Sequence, residues 1–478
     1  MARRTKIIAT IGPASAEEVT VKAMMSAGMD VARLGLAHGT INLQLDRYRH
    51  LRRIATDMGQ PLGIIVDLPG PKVRAGTMPP EGVTLVANQE LRLVPGRNEP
   101  STDEVFHVDY ESLLTDVQLG DRVVFGDGAV TAEAVDRDGD GIRVRVSHGG
   151  LLQGRPGVHI PSERLRLTTP TAADLTALDA FVEAGVDMVA LSFVRSAHDV
   201  RRVGTEPHPR GPLVIAKVET RAAVENLDGI IDAAGAVMVA RGDLGAECPI
   251  EDLPHLQKRI LQRCIALGRP AITATQMLES MMYAPTPTRA EASDIANAVF
   301  DGSSALMLSG ETAIGDDPVN AVATMARIAE RADAEFDYAG WPARLAQLYA
   351  GPGLNVDDRV TNSMTNAAWQ AATDADASAI ICVTRTGFTV RSIARFRPQA
   401  PIYAFSTDDR TVHQLTLSWG ATPHLLEPGL SQDDAIARSV ELVKEHGDLR
   451  SGDLVAVLSG STNYPGRATD SLKLVRLS

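Results

Sequence analysis

The sequence predicts an α/β protein: a (β/α)₈ barrel that carries a small inserted β domain and is followed by an open α/β domain. Three observations lead there. Eight short apolar runs, each followed by helix-like periodicity, recur from the first residues onward. The stretch between the third and fourth changes texture to alternating β. Beyond the eighth, four more apolar runs alternate with helical segments.

In chain order the eight runs are KIIATI from Lys6, DVARLGL from Asp30, LGIIVDL from Leu62, DMVALSF from Asp187, LVIAKVE from Leu213, AVMVARG from Ala236, AITATQM from Ala271 and ALMLSG from Ala305. Most neighbours are spaced as one βα unit requires, and eight such units describe a TIM barrel. One gap, from Asp67 to Asp187, is far too long. Within it VTLVANQELRLV, VFHVDY, DRVVFGDGAVTAEAV and GIRVRV alternate and are broken by Gly and Asp. This predicts a separately folded small β-barrel domain over residues 71–165, tethered at the carboxyl end of strand three. On that rim it can act as a lid that excludes water. Inside it, Asp136 to Gly141 imitates the opening of a calcium loop. The twelfth position is Ser147 rather than Glu, and Arg143 and Arg145 sit where negative charge is needed, so a hairpin turn is expected.

The barrel takes residues 1–70 and 166–340. After Thr312 the helix AVATMARIAERADAEF leaves it, and 337–358, with WPARL and GPGL, reads as a linker. ASAIICVT, PIYAFS, TPHLLE and DLVAVLSG then build the third domain, 341–478, an open α/β sheet. Between its first strand and next helix, Thr384, Thr386, Gly387 and Thr389 supply hydroxyls and free amides that suit an effector phosphate. Threonine at a helix start also serves plain capping.

Composition excludes several classes. A chain of 478 residues with 44% hydrophobic and 22% charged residues reads as globular and multidomain. Its net charge of -13 argues against nucleic acid or an anionic membrane as partner. Cys248, Cys264 and Cys382 have no metal-ligand spacing, so a reducing cytoplasm is expected. Gly12-Pro13 interrupts the first apolar stretch before a signal segment forms, and no run approaches the ~20 residues of a membrane span.

The carboxyl ends of the strands collect the chemistry. Lys217 and Glu219, two apart, face one way, and the next strand ends in Arg241-Gly242-Asp243. Two carboxylates with open space around them suit Mg²⁺, and the lysine beside them balances charge on an oxyanion. Thr10, Pro13 and Ser15 end the first strand, Arg33 and His38 the second, and Asp67, Lys72 and Arg74 the third. Ser192 and Arg195 follow the fourth, Thr275, Gln276 and Glu279 the seventh, and Ser309 to Thr312 the eighth. Such a mouth suits two phosphorylated anions and a metal.

KIIATIGPAS, GMDVARLGLAHG, DLPGPKVR, SFVRSA, AKVE, MVARGDLGAE, ATQMLESM, PTRAEASDIANAVFDG and MLSGETA resemble the signature stretches of pyruvate kinase, in family order and over nearly the whole chain. The resemblance implies barrel, lid and regulatory domain, and phosphoryl transfer from phosphoenolpyruvate to ADP, giving pyruvate and ATP. It implies Glu219 and Asp243 as ligands of Mg²⁺ or Mn²⁺, and Lys217 as the cation at the transferring phosphoryl group and enolate oxygen. Arg33, Thr275 and the amides of Gly242 and Asp243 would hold phosphoenolpyruvate, with Thr275 anchoring the proton relay. His38, Arg74 and Pro13 would serve the nucleotide. A cytoplasmic homotetramer under a phosphorylated effector is also implied.

Two departures stand out. Where most members have Leu-Asn-Phe-Ser-His, with two K⁺ ligands, this chain has Leu34-Gly35-Leu36-Ala37-His38. Asp67 remains, and Lys72 replaces the Glu of the K⁺-dependent branch, so K⁺ is expected to be dispensable with Lys72 in its place. Ala173 stands where the family usually has a nucleotide-binding Lys. These losses motivate an alternative, a weak paralogue sensing a sugar phosphate or nucleotide. A second alternative is a keto-acid aldolase or lyase using Lys217 as a Schiff-base amine.

Overall fold

In the computed structural model, which describes residues 3–96, 99–126, 128–348, 356–445, 449–460 and 469–477, all eight predicted runs become strands of one closed parallel barrel. Strands β1 (Lys6–Thr10), β2 (Val31–Gly35) and β3 (Gly63–Leu68) begin it. Eight lid strands intervene: β4 (Val83–Leu85), β5 (Glu90–Pro95), β6 (Val105–Val108), β7 (Arg122–Phe125), β8 (Val130–Asp138), β9 (Gly141–His148), β10 (Gly150–Leu152) and β11 (Val158–His159). The barrel resumes with β12 (Met188–Leu191), β13 (Leu213–Val218), β14 (Ala236–Ala240), β15 (Ala271–Ala274) and β16 (Ala305–Leu308). Closure comes from β16 pairing with β1, Ala305 opposite Lys6.

Side chains alternate across each strand, so one apolar run feeds two cores. Ile8, Ile65, Met188, Ile215, Met238 and Ile272 pack together inside the barrel. Ile7, Ile64, Val189, Val237 and Leu306 join the larger layer beneath the surrounding helices. The helix Pro318–Ala334 packs on Glu18–Ala27 and Arg289–Phe300, and so completes this outer ring instead of leaving it.

The lid is a six-stranded sheet, β11-β7-β8-β9-β5-β6, with a ribbon of β10 and β4. Its sheet curls around one core, where Phe106 meets Phe125 edge to face at 5.3 Å between centroids. The acidic turn between β8 and β9 is a hairpin. Arg92 reaches Asp140 at 2.7 Å and Arg143 reaches Asp138 at 3.3 Å, so its carboxylates are answered by arginines.

The third domain holds β17 (Ala379–Val383), β18 (Ile402–Ser406), β19 (Ala421–Leu425), β20 (Leu454–Ser459) and β21 (Ser471–Arg476), ordered β19-β18-β17-β20-β21. The first four were expected. The antiparallel β21 was not, because an edge strand with half its residues in water carries little apolar signal. The linker expectation needs correction too. A helix, Trp341–Leu348, occupies its first half and buries Trp341 and Leu345 in the core of the third domain. Residues 349–355 of that stretch lie outside the described ones.

This domain stoppers the barrel at the end opposite the mouth. Leu417 enters the interior cluster of the barrel. A Cβ on Gly63 would meet Thr416 Oγ1 at 2.3 Å and the His413 carbonyl at 2.9 Å, so only glycine permits the approach. Gln414 Nε2 donates to the carbonyls of Asp187 (3.0 Å) and Gly211 (3.2 Å). Nearby, buried Asp333 accepts from the amides of Arg4 (2.7 Å) and Thr5 (2.8 Å) and from Thr5 Oγ1 (2.9 Å). Asp333→Ala strands three buried donors at about 1–3 kcal/mol each before relaxation, so a thermal midpoint several degrees lower is expected. Activity at room temperature stays near wild type, which a melting curve beside a rate assay checks.

Candidate active site

The ends of β3, β12 and β13 bring one ammonium and two carboxylates into contact. Lys217 Nζ lies 2.8 Å from Glu219 Oε1 and 3.3 Å from Asp67 Oδ1, and donates to Ser192 Oγ at 2.8 Å. Asp67 Oδ2 accepts from Arg33 Nε at 2.7 Å, and Arg33 Nη1 donates to Thr10 Oγ1 at 3.0 Å. Glu219 Oε2 takes the Phe193 amide at 2.7 Å. Glu219 is fully buried and Asp67 is 3% exposed. In such surroundings removal of one charge leaves its partner unanswered, at a cost of about 3–5 kcal/mol.

The charges are poised unequally. Burial alone would lift the Asp67 carboxyl, but Lys217 and Arg33 overcome this and hold it below its usual range. Burial alone would lower the Lys217 ammonium, but Asp67 and Glu219 push it well above the ordinary lysine value. Glu219 is raised, first by burial and further by Asp243, with Lys217 opposing. Its Oε1 sits off the line of a straight hydrogen bond from Lys217 and finds no other partner. A carboxylate so buried, with a free lone pair and a second carboxylate close by, fits a divalent cation. Among the described residues no group of three or more His, Cys, Asp or Glu side chains gathers as a protein cage. The arrangement therefore suits Mg²⁺-like ions, which keep most positions for water and substrate.

Asp243 stands in the first turn of the helix Arg241–Glu247, directly after β14. The Gly242 amide donates to Thr275 Oγ1 at 2.9 Å. Thr275 and Gln276 both take left-handed backbone angles, φ 70° and 53°, a conformation rare outside glycine. Arg241 holds them there. Its guanidinium donates to the carbonyls of Ala274 (3.2 Å) and Thr275 (2.6 Å) and pairs with Asp294 at 2.7 Å.

A cleft of about 650 Å³ opens over this centre, lined by Thr10, Pro13, Arg33, His38, Asp67, Lys72, Arg74, Lys217, Glu219 and Asp243. Thr275 joins through its bond to Gly242. The ion pairs on Asp67 are those of Arg33 and Lys217. Lys72 is exposed, and its Cε packs 3.2 Å from where a Cβ on Gly157 would stand, against the lid. Arg195 turns away to the root of the lid, donating to the carbonyls of Leu165 and Leu167. Glu311 and Thr312 brace the backbone. Glu311 accepts the amides of Leu278 (3.0 Å) and Ser309 (2.7 Å), and Thr312 donates to the Thr10 carbonyl. At the remote loop, Thr384 Oγ1 accepts the Gly387 amide at 3.0 Å, and Thr389 Oγ1 shares a hydrogen bond with Thr469. The Thr386 carbonyl accepts from Arg391.

Sequence reasoning missed the clamp of Arg241 on Asp294, which lie 53 residues apart. It also passed over Arg47, which lines the cleft from the helix Ile41–Met58. Neither has a local signature.

A buried ammonium between two carboxylates, with a lid over a barrel mouth, defines a metal-assisted phosphotransferase of the barrel class. The chain matches the family model "Pyruvate kinase, barrel domain" over residues 2–322 and "Pyruvate kinase, alpha/beta domain" over 362–475. It is 37% identical over 477 residues to the pyruvate kinase of Clostridium acetobutylicum, covering 99% of each. It is 37% identical to that of Bacillus licheniformis (97% of this chain, 79% of the relative) and 38% identical to pyruvate kinase 2 of Synechocystis (99% and 79%). The chain belongs to the pyruvate kinase family. It is a phosphotransferase of glycolysis, acting between phosphoenolpyruvate and ADP, and its family implies a divalent metal. The sensor and lyase readings find no support.

Two outcomes follow. Asp294→Asn loosens Arg241 and with it Thr275, so kcat should fall roughly tenfold or more with little change in melting temperature. The raised Lys217 amine stays protonated, and a protonated amine is no nucleophile. Pyruvate with borohydride at neutral pH should therefore add no mass to Lys217 in peptide maps.

Proposed function

We propose that Glu219 and Asp243 hold Mg²⁺ or Mn²⁺ and that Lys217 stabilises the phosphoryl group in flight and the enolate oxygen left behind. The unsatisfied, fully buried Glu219 Oε1 beside Lys217 carries this reading. When bound, the ion supplies Lewis-acid polarisation and charge neutralisation at phosphoryl oxygens. Arg33, Thr275 and the amides of Gly242 and Asp243 hold phosphoenolpyruvate. Lys217 and Arg33 meet the substrate already oriented by Asp67, so no reorganisation precedes transfer. The phosphoryl group passes to a terminal oxygen of ADP, and the enolate takes its proton through a relay anchored at Thr275. His38, Arg74 and Pro13, on the outer wall of the same cleft, serve the nucleotide.

K⁺ is not required. Gly35 and Ala37 offer no side-chain oxygen at the cleft, Asp67 already faces two cations, and Lys72 adds a third to the same wall. The loop from Thr384 to Thr389 takes a phosphorylated effector, supported by its amides and by the left-handed Gly387 at φ 74°. The working form is a cytoplasmic homotetramer, in keeping with the closed symmetry common among soluble enzymes. No helix among the described residues is long and apolar enough to cross a membrane.

A coupled pyruvate assay tests the reading. Lys217→Met should cut kcat by about a thousandfold while the fold survives. Glu219→Gln and Asp243→Asn should each abolish the response to Mg²⁺. Activity in K⁺-free, Na⁺-free buffer should match that with K⁺, and a strong rise on adding K⁺ overturns that part.

A further inference from the structure

The last residue of the helix that begins at Arg241 is Glu247, and its carboxylate is 3% exposed although no substrate-facing role falls to it. Four donors or cations converge there. His159 Nε2 lies 2.7 Å from Oε1, and the Ser162 amide donates to that oxygen at 2.9 Å. Ser162 Oγ donates to Oε2 at 2.8 Å, and the Arg221 amide does so at 3.1 Å. Burial would raise this carboxyl, yet His159, Ser162 and the Arg221 amide hold it below its usual range, so it meets them ionised.

The partners come from two separate bodies. His159 ends β11, and Ser162 lies on the strand of chain by which the lid returns to the barrel. Arg221 opens the helix that follows β13, two residues beyond Glu219. Glu247 itself stands four residues beyond Asp243, and positions four apart share one face of a helix. Pinning Glu247 therefore sets the rotation of the helix and the direction in which Asp243 projects.

We propose that Glu247 is a positioning residue: one carboxylate fastens the returning lid strand to both segments that bear Glu219 and Asp243, so lid docking and assembly of the metal pair are a single event. This deepens, and rests on, the reading of Glu219 and Asp243 as metal ligands. His159 is the lid's half of the fastening. A closed lid orders the carboxylates, and ordered carboxylates hold the lid down.

The test uses the whole enzyme without substrates, titrated with Mn²⁺ and followed by the paramagnetic resonance of the free ion, alongside kcat and KM. Glu247→Gln and His159→Leu should each weaken Mn²⁺ binding and lower kcat by about tenfold, the usual range for groups that orient metal ligands. KM for ADP should move far less than kcat. His159→Gln, whose amide nitrogen reaches the place of Nε2, should restore most of both. The double variant should be no worse than the weaker single, because the two changes break one contact. Mn²⁺ affinity unchanged in His159→Leu, or losses that multiply in the double variant, overturn the proposal. His159→Leu alters only the lid and so decides the matter if Glu247→Gln does not fold. Asp243→Asn separates the layers: if it binds Mn²⁺ like wild type, the metal reading itself fails, whereas loss there with normal binding in His159→Leu removes only the fastening.

Discussion

The site depends on one buried ammonium that has more negative charge around it than it can neutralise. Lys217 answers Asp67 fully, sharing it with Arg33, and answers Glu219 incompletely. That imbalance is the useful property. A balanced pair would be an inert buried salt bridge, whereas a carboxylate held in a dry setting with a free lone pair favours any further positive charge brought to it. The cost of keeping it is borne by the barrel, whose eight strands place these groups on rigid ends instead of on loops.

Around this centre each domain has a separate physical task. The barrel supplies fixed side chains, and the lid supplies a wall that excludes water and reaches across through Lys72 and Arg74. The third domain closes the far end and touches none of the reacting groups described. The strained backbone at Thr275 and Gln276 is held by long-range bonds from Arg241, the usual way for a functional site to retain a conformation that its own residues disfavour.

Much of this was legible in the sequence because the signals were local. Period-two exposure and apolar runs marked the eight barrel strands, and the alternation of Lys217 with Glu219 put both on one face without any structure. What escaped was either long-range or weakly apolar. Asp294 gives no sign of serving Arg241, since the contact exists only once the helix Arg289–Phe300 has packed on β14 and β15. The helix Trp341–Leu348 was hidden by neighbouring proline and glycine, although Trp341 and Leu345 are buried anchors. β21 was lost because an edge strand alternates with solvent and needs β20 to be recognised. Arg195 looked like a mouth residue from its place after β12, but nothing local tells which way a long side chain will turn.

The stopper at the base of the barrel has a mechanical corollary. Gly63, pressed against Thr416 and His413, and Asp67, which holds Arg33 and Lys217, are the first and fifth residues of β3. A strand rises about 3.3 Å per residue, so roughly 13 Å of stiff backbone separates them. With both faces packed, such a segment transmits axial displacement better than it absorbs it. The floor of the barrel and the seat of its catalytic charges are thus two ends of a single short strut.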